Sequence, residues 1–177
     1  MRVFPLTKMA IEHEILSVEE QLQKASRDKR DSGHTTDGDM MDDPLMHQQM
    51  EQIGMLQLRL SRLKDTLSSL KLLDEDEVFS STAIQLGHRV KVKVRYADGD
   101  SEEYYATIGS TLDQQFIGKN KTYFNGSTEL MLSDESAIVQ SLLGKAVGDK
   151  VIYVAPGGTN RVHIISLEPS PLPSVPE

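Results

Sequence analysis

The chain has no cysteine and no tryptophan among its 177 residues. Without cysteine there can be no disulfide framework, thiolate metal site or cysteine nucleophile. Aromatic residues make up 5% of the chain and hydrophobic residues 38%, which points to a modest core and much exposed helix. No apolar run reaches the roughly 18 residues a membrane-spanning helix needs. The opening Met1-Arg2-Val3-Phe4-Pro5-Leu6-Thr7 is not followed by an apolar stretch of signal-peptide length, so a soluble, cytoplasmic protein without membrane contact is expected. A formal net charge of -8 argues against a general electrostatic grip on nucleic acid. Gly-rich phosphate loops, GxSxG elbows and HExxH helices are also missing.

Residues 8 to 73 carry the strongest pattern. Ile11, Ile15, Val18, Leu22 and Ala25 step alternately by four and three, and so do Ile53, Leu56, Leu60, Leu63, Leu67 and Leu70. This spacing keeps one narrow apolar stripe on one face of a helix, the seam of a coiled coil. A helix with only such a stripe is marginal in water and must bury it against a partner. The nearest partner for each run is the other, which predicts an antiparallel coiled-coil hairpin within an N-terminal domain of residues 1–77. The first helix should run from about Lys8 to Asp31 with Thr7 as N-cap. As a single helix, residues 44 to 73 would reach about 45 Å. Leu60 is expected in the buried seam, and Gly54 should cost the second helix about 1 kcal/mol relative to alanine unless it allows close helix approach.

The tip, about residues 33–44, holds Gly33, Gly38 and Pro44, which break or restart helix. Within seven residues it also holds Asp37, Asp39, Asp42 and Asp43, with no Lys or Arg among them. Four such carboxylates repel one another and would gain from a cation supplied from outside. They are hard oxygen ligands suited to Mg²⁺ or Mn²⁺. The spacing does not match an EF-hand, and a loop offers no closed cage, so a site shared with a partner that holds most of the ion fits better. Lys24, Arg27, Lys29 and Arg30 precede the tip, and Arg59, Arg62 and Lys64 follow on the returning helix. This basic cluster is either a solvated, partly compensated surface or a contact surface for an acidic partner or phosphate backbone. His34 and His47 flank the tip as isolated histidines. His88 and His163 have no ligand cluster at metal spacing, and none of the four is assigned chemistry.

Asp74-Glu75-Asp76-Glu77 reads as an exposed linker, because acids are unfavourable at the C-terminus of a preceding helix. Beyond it the period changes to two. Arg89-Val90-Lys91-Val92-Lys93-Val94-Arg95-Tyr96 alternates as a strand with one buried and one wet face. Asp98-Gly99-Asp100 marks a turn, and residues 102–109 form the partner strand. Phe116-Ile117 and Lys121-Thr122-Tyr123-Phe124 suggest one or two further strands. Ser136 to Leu143 suggests a short helix closed by Gly144. Lys150–Val154 and Arg161–Leu167 are strands around the turn Pro156-Gly157-Gly158. The second domain thus spans residues 83–168 as a compact α+β fold. Residues 169–177 are expected to be a disordered, Pro- and Ser-rich tail.

Taken together, these features resemble the Gre family of bacterial transcription elongation factors over most of the chain, from Pro5 to about Leu167. Pro5-Leu6-Thr7 looks like the family's opening before its first long helix. Gly38-Asp39-Met40-Met41-Asp42-Asp43 resembles the tip motif Gly-Asp-Leu-Ser-Glu-Asn, with His47 in place of a following His. Gly144-Lys145-Ala146-Val147-Gly148-Asp149 and Pro156-Gly157-Gly158 resemble the closing motifs. The resemblance implies an N-terminal coiled-coil hairpin followed by an FKBP-like α+β domain. It further implies that the globular domain docks at the rim of the RNA polymerase secondary channel while the hairpin enters it. The tip acids would then help hold a Mg²⁺ in the polymerase's own active site, which cleaves the 3′ end of backtracked RNA. Asp39 and Asp42 take the places of the family's tip Asp and Glu, with Asp37 and Asp43 beside them. The factor would not be an enzyme itself, no cofactor would be bound stably, the RNA 3′ end would be met only indirectly, and the factor would be a monomer.

The tip departs from the family pattern at Asp42, Asp43, Pro44 and Met46, and Ser136-Ala137 replaces a Ser-Pro. Gre-like relatives with Asp-rich tips act as inhibitors that occupy the channel. Because Asp39 and Asp42 both keep a carboxylate, the leading expectation from the resemblance is still stimulation of RNA cleavage. The alternatives are channel occupancy with an inhibitory or regulatory outcome, or a stand-alone coiled-coil adaptor whose second domain binds peptide.

Overall fold

The computed structural model describes residues 1–32, 44–118 and 130–171. The chain divides into two units, one of Ala10–Ser69 and the other of Met1–Met9 with Leu70–Glu177.

Two helices, α1 (Pro5–Ser32) and α2 (Pro44–Ser69), form a helical hairpin. Each opens on proline, whose fixed φ and missing N–H suit the first helical position. Ile11, Ile15 and Val18 of α1 and Leu56 and Leu63 of α2 are buried. Leu22, Ala25, Ile53, Leu60 and Leu67 are only half-buried. On α2 the buried stripe residues Leu56 and Leu63 stand seven apart, and the alternate heptad positions Ile53, Leu60 and Leu67 stay half-buried, so Leu60 is not the fully buried seam residue expected. The helices are also joined by ion pairs, Arg59 to Glu14 and Lys64 to Glu19, the second at 2.7 Å. Exposed pairs contribute about 0–1 kcal/mol each, so the apolar stripe holds the hairpin. Gly54 does not serve close helix approach, because a Cβ added there meets nothing within 4 Å. Gly54→Ala should therefore stabilise the hairpin by about 0.5–1 kcal/mol. A denaturant midpoint that stays put or falls would contradict this.

The second unit begins with a two-residue parallel pairing of β1 (Arg2–Val3) and β2 (Lys71–Leu72). After β2 the four acids open a helix rather than a linker. In α3 (Glu75–Ser80), the Asp74 side chain caps the N-terminus by accepting from the Asp76 and Glu77 amides at 3.0 and 3.4 Å. Glu75, Asp76 and Glu77 stand in the first turn, where the helix dipole favours negative charge. The same acids that would be unfavourable closing α2 are favourable opening α3. Buried His88 ties α3 to the sheet: its Nε2–H donates to the Val78 carbonyl at 2.9 Å, and its Nδ1 accepts from the Gln85 amide at 3.1 Å.

The sheet comprises β3 (His88–Arg95), β4 (Ser101–Gly109), β5 (Leu130–Ser133), β6 (Lys150–Ala155) and β7 (Gly158–Pro169), in the order β5-β4-β3-β7-β6. All neighbours are antiparallel except β4 and β5, which run parallel. Two short helices, α4 (Thr111–Phe116) and α5 (Ala137–Leu142), complete the unit. The period-two pattern is obeyed: Val90, Val92 and Val94 face a core shared with Ile108, Val139, Leu142, Val162 and Ile164. The β6–β7 turn needs glycine at Gly158, whose φ is +124° and where a Cβ would lie 2.6 Å from Ala97 Cβ.

The FKBP-like domain expected from the resemblance is corrected here to a mixed five-stranded sheet. Short Gly and Pro motifs specify turns, whereas strand order depends on pairings distant in sequence, which those motifs do not encode. Phe116 ends α4 instead of joining a strand, because Ser110 and Asp113 cap that segment as helix. Lys121–Phe124 and the tail beyond residue 171 lie outside the described residues.

Candidate functional site

The sequence concentrates candidate chemistry between the end of α1 and the start of α2. Asp37, Asp39, Asp42, Asp43 and His34 lie outside the described residues. In the sequence they fall between Ser32, which ends α1, and Pro44, which opens α2. On the described flanks, His47 is exposed and Met46 half-buried.

Lys24 and Arg27 are exposed on α1, and Arg62 is exposed on α2. Arg59 reaches Glu14 with two guanidinium nitrogens, Nε at 3.2 Å, and Lys64 pairs with Glu19. Part of the positive charge is thus spent between the helices. Lys29 and Arg30 fall near the end of α1, with side chains outside the described residues. Among the described residues, no group of three His, Asp or Glu could hold a metal ion. His163 lies on the open face of β7, between Lys93 and Lys150 in the register.

The most elaborate polar site was missed in the sequence. Asp113 is fully buried, and its carboxylate accepts four hydrogen bonds. Oδ1 accepts from the Phe4 amide at 3.0 Å and the Thr7 hydroxyl at 2.5 Å. Oδ2 accepts from the Ser110 amide at 2.7 Å and the Ser110 hydroxyl at 2.8 Å. Thr7, read as an N-cap, lies within the first turn of α1 and gives its hydroxyl to Asp113 instead. The local half of this arrangement was legible, since Ser110-Thr111-Leu112-Asp113 fits the capping-box pattern. The half involving Phe4 and Thr7 leaves no sequence signal. The network fixes the chain start to β4 and α4, and nothing in it resembles a reaction centre.

Burial pushes the Asp113 carboxyl above its ordinary value of 3.8, and the bonds from Thr7, Ser110 and Phe4 only partly offset this. A raised carboxyl contributes stability that is fully present below the unfolded value and lost as pH rises through the folded one. Relative to Asp113→Asn, which cannot titrate, the parent protein should lose stability as pH rises above about 4. Denaturant unfolding of both proteins across the acid range checks this; parallel pH profiles would refute it.

Comparison with known proteins gives a consistent result. A family model described as "Transcription elongation factor, GreA/GreB, C-term" matches residues 80–169. The transcription elongation factor GreA of Bacillus cytotoxicus is 34% identical over 110 residues, 62% of this chain and 60% of that protein. The chain thus spans less than two thirds of that relative in the matched stretch. The GreA of Bacillus licheniformis is 28% identical over 171 residues, covering 94% of this chain and 97% of that one. Among solved structures, the GreA factor homolog 1 (Gfh1) protein of Thermus thermophilus matches with 20% identity and a TM-score of 0.39, over 95% of this chain and 98% of that one.

Proposed function

The chain belongs to the GreA/GreB family of transcription elongation factors, and from that premise we propose that it binds bacterial RNA polymerase and works from the secondary channel. The observation that carries this reading is the helical hairpin. It joins α1 and α2 through a segment with four aspartates and no basic residue between Asp37 and Asp43. A buried apolar stripe and two interhelical ion pairs support the helices without drawing on those acids.

The outcome we propose is regulation of the polymerase by channel occupancy, without stimulation of cleavage. Asp42 carries one methylene less than the Glu of the family motif, and an error of about 1 Å at a reacting centre can cost about 100-fold in rate. The second reading, cleavage stimulation, is favoured by one specific feature: positions 39 and 42 both retain carboxylates. Asp39 and Asp42, with Asp37 and Asp43 beside them, offer hard oxygens of the class Mg²⁺ accepts. In the second reading the metal belongs to the polymerase, as does the chemistry it supplies. The factor itself would contribute only carboxylate position and charge.

A stalled, backtracked polymerase complex with labelled RNA distinguishes the outcomes. Slowed elongation without RNA shortening supports occupancy. Faster shortening supports cleavage stimulation. Failure to bind polymerase rejects both. The double variant Asp39→Asn, Asp42→Asn should keep the helical circular dichroism and polymerase binding of the parent while losing its effect on elongation or cleavage. A melting point lowered by several degrees would show instead that these acids are structural.

A further inference from the structure

The wet face of the sheet carries a concentration of positive charge that the proposed role of the hairpin does not use. In the register, Lys150 faces His163 and His163 faces Lys93, a row across β6, β7 and β3. The next row runs Ile152, Arg161, Arg95. These residues line an open groove of about 550 Å³ whose lining holds no carboxylate. On the same face, Glu103 of β4 accepts from Lys93 at 3.0 Å. Its carboxyl is held below the ordinary value chiefly by Lys93, with Lys91 and His163 adding to the effect. Such a groove is unexpected in a chain of net charge -8.

Two further observations narrow the occupant. β6 is the last strand in the sheet order, so among the described residues its outer backbone edge has no partner strand. On the same face as Lys150, the side chains of Ile152 and Val154 are 60% and 71% exposed. A phosphate backbone would match the cations but not the apolar pair, and the chain's overall negative charge would repel a long polyanion. An extended protein segment alternating acidic and apolar residues matches all three: the cations, the apolar pair and the open strand edge. We propose that the open face of β3, β7 and β6 is a docking surface for an acidic, partly apolar segment of another protein. This does not depend on the action of the hairpin tip.

The test uses the full chain and no polymerase, so its failure is separate from failure of the channel reading. Fluorescence anisotropy would follow a labelled peptide of alternating Glu and Val, beside a Lys-Val peptide, single-stranded RNA and duplex DNA. The Glu-Val peptide should bind best and weaken with added salt. Arg95→Glu with Arg161→Glu should weaken it by about tenfold or more. Arg95→Gln with Arg161→Gln should give a smaller loss with an unchanged circular dichroism spectrum, since both side chains are exposed. Absence of Glu-Val binding, equal binding of the Lys-Val peptide, tighter binding of RNA or DNA, or indifference to both double variants would each overturn the proposal.

Discussion

Asp113→Ala is expected to destabilise the protein by about 3–5 kcal/mol. Alanine removes an acceptor of four hydrogen bonds at a position with no solvent exposure. The cost is set by what is left behind. The Phe4 and Ser110 amides lose their acceptor where water cannot easily replace it, and each stranded donor costs about 1–3 kcal/mol. The capping box of α4 is lost with it. Thr7→Ala, which removes one of the four donors, should cost only about 1 kcal/mol. Chemical denaturation followed by circular dichroism would measure both. A loss below 1 kcal/mol for Asp113→Ala would mean that water or neighbouring groups satisfy the stranded donors and that the network contributes little.

Ile11→Ala should destabilise the hairpin by about 2–5 kcal/mol. Ile11 has no exposed surface and sits in the narrow stripe that holds α1 and α2 together. Leu60→Ala removes a comparable aliphatic side chain from the same heptad pattern but from a half-buried position. Its cost should be roughly 1–2 kcal/mol, because less area is taken from water and solvent can enter the space. The contrast between the two carries the test. Equal losses would mean that Leu60 is packed as tightly as Ile11, and a negligible loss at Ile11 would mean that the stripe does not hold the hairpin.

The parts of the fold legible in the sequence were those encoded by neighbours. The heptads gave both helices, because a stripe every three or four residues has one helical solution. The alternation from Arg89 to Arg95 gave β3 and its buried face, and Asp98-Gly99-Asp100 gave its turn. What stayed hidden was encoded over distance. Asp113 meets Phe4 and Thr7 across sequence separations of 109 and 106 residues, so nothing near position 113 announces the contact. Sheet order was hidden for the same reason, and the expectation of an FKBP-like domain was corrected on it. The acids at 74–77 were misread although their neighbours were in view, because their electrostatic sign depends on which helix they belong to. Of the candidate site, residue types and order along the chain were readable. The pairing of Arg59 and Lys64 with α1 acids was not, because seven-residue spacing fixes the seam but not the partners of the residues beside it.

The first nine residues belong to the same unit as residues 70–177, which gives that unit a split ancestry along the ribosome's timeline. Phe4 and Thr7 emerge early, whereas the carboxylate that receives them is translated more than a hundred residues later. The hairpin between them, held by local contacts, is free to form in the interval. A fragment started at Leu70 to isolate the globular half would keep Asp113 while lacking two of its four donors. Its poor behaviour on its own would then reflect where the cut was made.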